Sequence, residues 1–202
     1  PGFEAAAQAA AIGIFFNQGE VCTAASRLLV ERSIKDDFVK MVVAAGKNLH
    51  PMHPFDPSAP MGAIVDEGQM NNVLKYIEKG KAEGAELVLG GERVMTESGG
   101  YYIAPTVFNE VAHEMSISKE EIFGPILPVL TFTNFNEALL KIAEHEKPLA
   151  AYLFTSDSEE KENFTSKISF GGGCINDVVM HLSNDYLPFG GVGNSGIGNY
   201  HG

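Results

Sequence analysis

The sequence predicts an α/β fold, a mostly parallel twisted sheet covered by helices, in one domain. Two observations carry that expectation. From Tyr101 onward, short apolar runs alternate with segments of helical periodicity, the pattern of strands joined by crossover helices. The apolar runs are near-continuous, as at 126–132 (ILPVLTF), which is what a strand buried on both faces requires.

Residues 4–16 (EAAAQAAAIGIFF) are rich in strong helix formers, and the helix they predict ends before Gly19. Residues 27–31 (RLLVE) form a short apolar run and read as a strand. Ser33 stands where an N-cap belongs, ahead of Phe38, Val39, Val42 and Val43 at helical spacing. Four prolines within 50–60 (HPMHPFDPSAP) dictate a loop. A longer amphipathic helix is expected over 66–83, with Val73, Leu74 and Ile77 inward and Gly84 closing it. Strands follow at 87–89, 103–108, 126–132, 149–155 and 172–176, and helices at 135–145 and 159–168. The tail from Leu187 is glycine-rich and irregular, and neither an internal repeat nor a dividing linker interrupts residues 1–202.

Of the 202 residues, 45% are hydrophobic and 20% charged, enough to close a core without disulfides or a metal. Fourteen basic residues stand against 26 acidic ones, a net charge of −12 that repels phosphate backbones and anionic lipid. Nucleic acid and membrane surfaces are therefore not expected partners. No apolar stretch reaches the roughly 20 residues of a membrane span, and no basic-then-apolar leader opens the chain. Two cysteines, Cys22 and Cys174, fall far short of a disulfide scaffold and point to a reducing cytoplasm.

Several strings invite a chemical reading. Gly191, Gly193 and Gly196 spell G-x-G-x-x-G, but the motif needs a strand before it and a helix after it, and here the chain stops at Gly202. It reads as a tight loop. His50 and His53 flank prolines without further ligands, and His113-Glu114 lacks a second histidine one turn on, so no metal site is expected. Cys22 follows a polar turn, Asn17-Gln18-Gly19-Glu20, and precedes the small residues Thr23, Ala24, Ala25 and Ser26. Such neighbours leave room for a substrate and let a backbone N–H approach a developing oxyanion. On residue type alone a buried, inert cysteine and a reactive thiol both remain open. Cys174, inside the strand-like GGGCIN, reads as structural. In Glu120-Glu121-Ile122-Phe123-Gly124-Pro125, two carboxylates lead into an aromatic and a glycine turn. That string is either a charged strand entry or a carboxylate aimed at ligand hydroxyls, where O–H···O⁻ bonds are charge-assisted.

Taken together and in order, NQGEVC with SR after it, EEIFGP, and PFGGVGNSG resemble the aldehyde dehydrogenase superfamily over essentially the whole chain. The resemblance implies the catalytic-domain fold of that family and oxidation of an aldehyde to a carboxylic acid with NAD or NADP. It implies that Cys22 is the catalytic nucleophile, passing through a thiohemiacetal and a thioester. It further implies that Glu121 holds the nicotinamide-side ribose, that Phe123 packs near the nicotinamide, and that Asn176 in GGCIND helps shape the active site. Gln69, in VDEGQ, falls where the family often places a cofactor contact, although Asn72 stands where a lysine is common nearby.

From Tyr101 onward the chain looks like the class 3 type, which acts on fatty and aromatic aldehydes. The stretch around Cys22 looks more like the tetrameric classes that include betaine and aminobutyraldehyde enzymes. The family pattern also places a nucleotide-binding domain with the general-base glutamate ahead of this region and an oligomerisation extension behind it. Neither is recognisable in 1–202, so the chain by itself is expected to be a poor catalyst, and the intact protein a homo-oligomer. Two other classes compete with this reading. One is a cofactor-free cysteine hydrolase pairing Cys22 with His181 or His201; the other is a non-catalytic interaction module.

Overall fold

The structure is a computed structural model that describes residues 2–201; Pro1 and Gly202, the ends of the expected 1–202 domain, lie outside the described residues. In chain order the elements are α1 (Phe3–Phe15), β1 (Leu28–Glu31), α2 (Lys35–Lys47), α3 (Glu67–Ala82), β2 (Glu86–Leu89), β3 (Arg93–Val94), β4 (Tyr102–Ile103) and β5 (Thr106–Asn109). A short α4 (Ser116–Lys119) precedes β6 (Ile126–Phe132), α5 (Phe135–Ala143), β7 (Ala150–Leu153), α6 (Ser158–Lys167) and β8 (Gly172–Ile175).

The main sheet has four strands in the order β1-β6-β5-β2. β6 pairs in parallel with β1 (Leu28 opposite Val129) and with β5 (Thr106 opposite Ile126), while β2 runs antiparallel to β5. The sheet is therefore mostly parallel, as expected, with an antiparallel edge. Alternate residues of its strands feed two cores. Val107, Leu127 and Val129 face α1 and α2, against Ile14, Phe15, Val39 and Val42. Phe108, Ile126 and Leu130 face α3, against Met70, Val73 and Ile77. Both faces are covered, which is why the strands read as continuous apolar runs. Full burial of each such side chain contributes roughly 1.5–3 kcal/mol.

β7 and β8 form a separate parallel pair, with Tyr152 opposite Cys174. Beneath it lies a small core of Leu139, Phe164 and Ile168, packed with Leu153 and Phe170. β3 and β4 make a third, antiparallel pair. Among the described residues no helix is long and apolar enough to cross a membrane.

Two local expectations change, and the tail glycines form the tight loop they were expected to form. Ser33 does not cap α2: Ile34 occupies that position without a side-chain cap, and the Ser33 hydroxyl donates to Glu31 Oε1 at 2.7 Å. A carboxylate at the strand end captures the hydroxyl before the helix can. The single strand expected over 103–108 is split into β4 and β5, because Pro105 has no N–H to continue a ladder. The glycines of the tail open only a three-residue 3-10 turn, Gly193–Ser195, and no α-helix follows it among the described residues. By contrast α3 begins where a cap permits, with Asp66 Oδ1 accepting the Gln69 N–H at 2.8 Å.

Candidate active site

α1 runs out at Phe15, and Asn17 and Gln18 then take left-handed backbone (φ +48°) before Gly19 turns the chain (φ +74°). A Cβ on Gly19 would lie 2.3 Å from the carbonyl oxygen of Gly124, so only glycine permits this approach. NQGEVC and EEIFGP, a hundred residues apart in sequence, thus touch backbone to backbone. The polar residues of the first loop stitch it to a third segment. Glu20 accepts the Val65 N–H at 3.1 Å and the Gln18 amide at 3.0 Å, and Gln18 Oε1 accepts the Gly62 N–H at 3.3 Å.

Cys22 sits at the tip of the following turn, closed by the Ala24 N–H on the Val21 carbonyl at 3.0 Å. Its side chain is exposed and the thiol is free. Cys22 is therefore not a buried side chain. The next residue is the opposite: Thr23 is fully buried, and its carbonyl accepts the Tyr152 hydroxyl at 2.8 Å.

The second loop is held from α3. The Gln69 side-chain amide donates to the carbonyls of both Ile122 and Phe123, each at 2.8 Å. Both of its hydrogens are thereby used on the chain itself, a clamp that spacing could not reveal. Phe123 has φ +57° and an exposed ring, an uncommon backbone for an aromatic residue that the clamp helps to hold. The two carboxylates before it part company. Glu120 accepts the Tyr76 hydroxyl and lies 3.9 Å from Lys79 Nζ. Glu121 is exposed and has no hydrogen-bond or ion-pair partner among the described residues. The free carboxylate is thus the one that the resemblance singles out.

Between these loops opens a cleft of about 720 Å³, lined by Asn17, Glu20, Val65, Asp66, Gln69 and Phe123. Cys22 and Glu121 are not among its lining residues. Both stand in the open, Cys22 two positions beyond Glu20 and Glu121 two positions before Phe123. The structure brings Gln69 and Phe123 to the cleft together with Asn17 and Glu20, residues of the loop that leads to Cys22.

Asn176, at the end of β8, has φ +61°, which asparagine tolerates better than most residues. Its Oδ1 accepts the Thr155 N–H at 2.9 Å and its Nδ2 donates to the Thr155 carbonyl at 3.0 Å. Its amide is spent joining the ends of β7 and β8. Cys174 lies half-buried with Sγ 3.9 Å from His181 Nδ1. Burial pushes the Cys174 thiol up and the His181 imidazole down, so both stay neutral near pH 7. His201 approaches Asp185 at 3.8 Å. No imidazole nitrogen lies within hydrogen-bonding distance of Cys22 Sγ among the described residues, so the hydrolase pairing of Cys22 with His181 or His201 is not formed. Among those residues, too, no group of three or more His, Cys, Asp or Glu side chains is placed to hold a metal.

Residues 2–202 match the model of the aldehyde dehydrogenase family. The chain is 39% identical over 192 residues to a 4,4'-diaponeurosporen-aldehyde dehydrogenase of Staphylococcus aureus, covering 94% of this chain and 40% of that protein. It is 37% identical to a betaine aldehyde dehydrogenase of Brucella anthropi, covering 98% of this chain and 41% of that protein. Among solved structures it superposes on the aldehyde dehydrogenase KauB of Pseudomonas aeruginosa with a TM-score of 0.96 at 45% identity, covering 100% of this chain and 40% of the other. An indole-3-acetaldehyde dehydrogenase of P. syringae, solved in complex with NAD⁺, superposes with a TM-score of 0.96 at 44% identity, with the same coverage. The chain spans about 40% of the length of the relatives it matches. A family model covering nearly every residue, on a fold shared from end to end, leaves one conclusion: the chain belongs to the aldehyde dehydrogenase family.

Proposed function

We propose that this chain carries the nucleophile and part of the nicotinamide site of an NAD(P)-dependent oxidation of an aldehyde to a carboxylic acid. The observation that supports it most is the Gly19–Gly124 contact, which sets an exposed free thiol and an uncommitted carboxylate on two touching loops. The residues present fit a nicotinamide nucleotide. Glu121 has both oxygens free for a ribose diol, and the exposed Phe123 ring walls the adjoining cleft.

In this reading the Cys22 thiolate attacks the aldehyde carbon, forming a C–S bond and a thiohemiacetal oxyanion. The Cys22 backbone N–H, fixed by the turn, donates to that oxygen. When bound at the loops that carry Glu121 and Phe123, NAD(P) would supply a hydride acceptor, and loss of hydride from the thiohemiacetal carbon would leave a thioester on Cys22. Water, deprotonated by a general base, then attacks the thioester carbon, and the C–S bond breaks to release the acid and the free thiolate. Glu121 and Phe123 act by orientation. Gln69 contributes through the loop it clamps, and Asn176 by fixing the backbone at the ends of β7 and β8.

The two free cysteines suit a reducing cytoplasm. The relatives named above act on different aldehydes, so the substrate is assigned by class alone. The test is nicotinamide reduction by the intact protein supplied with aldehyde and NAD⁺ or NADP⁺. The Cys22→Ser variant is expected to fall to the background rate, and an acyl adduct should be trapped on the Cys22 peptide. Full turnover in that variant would overturn the proposal.

A further inference from the structure

A single phenol ties the cysteine turn to a distant and strained part of the chain. Tyr152 lies on β7, 129 positions from Thr23, and its hydroxyl donates to the Thr23 carbonyl at 2.8 Å. That carbonyl belongs to the third residue of the turn whose second residue is Cys22. The buried Thr23 hydroxyl has no hydrogen-bond partner of good geometry, although it faces the same phenol. Val179 lies near the phenol. Val179 itself has φ +63°, a strained backbone for a β-branched residue, and it persists only where its surroundings over-determine it. The Tyr152 ring packs on His181, with centroids 5.8 Å apart.

We propose that Tyr152 is a positioning residue for the nucleophile, its hydroxyl pinning the Cys22-Thr23 turn to β7 so that the Cys22 backbone N–H and sulfur hold a fixed orientation relative to the rest of the site. The proposal rests on the reading of Cys22 as the nucleophile. A two-residue turn tip has few contacts of its own. The Val21–Ala24 bond closes the turn, but its rotation as a unit is opposed by the Thr23 side, which is buried and carries the bond to Tyr152. Burial holds the phenol at a pKa of about 12, so it keeps its donor proton throughout the range where a thiol ionises. The anchor therefore does not release when the thiolate forms.

The orientation matters only for acyl chemistry. Alkylation of the sulfur needs an exposed thiolate, whereas attack on an aldehyde also needs the oxyanion donor in place. The test uses Tyr152→Phe in the intact protein, a change that keeps the ring and removes one oxygen. Rates are normalised to the folded fraction measured by circular dichroism, so partial unfolding does not enter. kcat for aldehyde oxidation is expected to fall about tenfold, with KM for the nicotinamide nucleotide and the alkylation rate of Cys22 both unchanged. Hydrogen exchange at the Ala24 and Ala25 amides should quicken about tenfold, since the turn opens more often. An unchanged kcat or unchanged exchange at these amides would overturn the positioning role. If Cys22→Ser kept full turnover, the functional reading would fail, and exchange at Ala24 and Ala25 alone would decide whether Tyr152 holds the turn.

Discussion

The α-carbon of Gly19 packs so closely on Gly124 that a methyl group there would sit 2.3 Å from the Gly124 carbonyl oxygen. Two loops that each carry proposed chemistry are joined at the point where neither has a side chain. Gly19→Ala must bear a left-handed backbone and this overlap together. It is expected to destabilise the protein by about 2–4 kcal/mol, combining a φ penalty with a packing clash. Urea unfolding of the intact protein measures the loss, and KM for the nicotinamide nucleotide should rise because the Phe123 loop is displaced. A variant as stable as the parent would mean that the loops do not meet here.

The paired carboxylates offer a contrast within one dipeptide. Glu121→Gln should raise KM for the nicotinamide nucleotide severalfold and leave stability alone, since that side chain is exposed and unpartnered among the described residues. Glu120→Gln should do the reverse, weakening its links to Tyr76 and Lys79 by up to about 1 kcal/mol with KM unchanged. Equal kinetic effects from both would show that the free and bound states of the two side chains are not distinct.

Gln69→Ala removes two hydrogen bonds and leaves the Ile122 and Phe123 carbonyls to water. A cost of about 1–2 kcal/mol is expected. Gln69→Glu should behave much as the alanine variant does, because an ionised carboxylate cannot donate to a carbonyl. Thermal unfolding of the two variants side by side is the measurement. A fully stable Gln69→Glu would place the side chain on something other than these carbonyls.

The two thiols should label in a fixed order. Cys22 is exposed, whereas Cys174 is half-buried, with its thiol pushed up by burial. Iodoacetamide at neutral pH is therefore expected to modify Cys22 several times faster in the folded protein, and at an equal rate only after denaturation. Peptide mapping over time distinguishes these outcomes.

Acid should weaken the fold through two histidines. Burial lowers both His181 and His145 from the ordinary 6.5; like charges, Arg27 first, add to the effect at His145. The unfolded chain then binds more protons than the folded one below about pH 6.5, so stability is complete above that value and is lost as pH falls through the depressed folded pKa. The thermal midpoint should decline from about pH 7 to pH 5, and His181→Gln should flatten part of that slope. An unchanged slope would show that His181 reaches solvent when it is protonated.

Much of the architecture was legible because it follows from local rules. The run 126–132 is near-continuously apolar and became β6, its first five residues buried between α1, α2 and α3. Residues 66–83 carry a cap and a stripe and became α3 within one residue at each end. Ser33 misled because its competitor, Glu31, lies outside any helix rule. The split at Pro105 was readable in principle, from a residue that cannot donate in a ladder. The side-chain amide of Gln69 and the phenol of Tyr152 were not readable, since their partners lie 53 to 129 positions away and are backbone carbonyls, which every residue possesses.

The alternation of apolar runs with helical periodicity determined by itself that the chain has an α/β architecture, and the order and spacing of its motifs pointed to one family. Periodicity and turn chemistry are encoded residue by residue, and no contact at long range is needed to express them. Only the tertiary structure decided which carboxylate of Glu120 and Glu121 stays free, that His181 pairs with Cys174 rather than Cys22, and that a phenol on β7 holds the cysteine turn. Those outcomes depend on which groups become neighbours once the sheet is buried, and burial is a property of the whole chain.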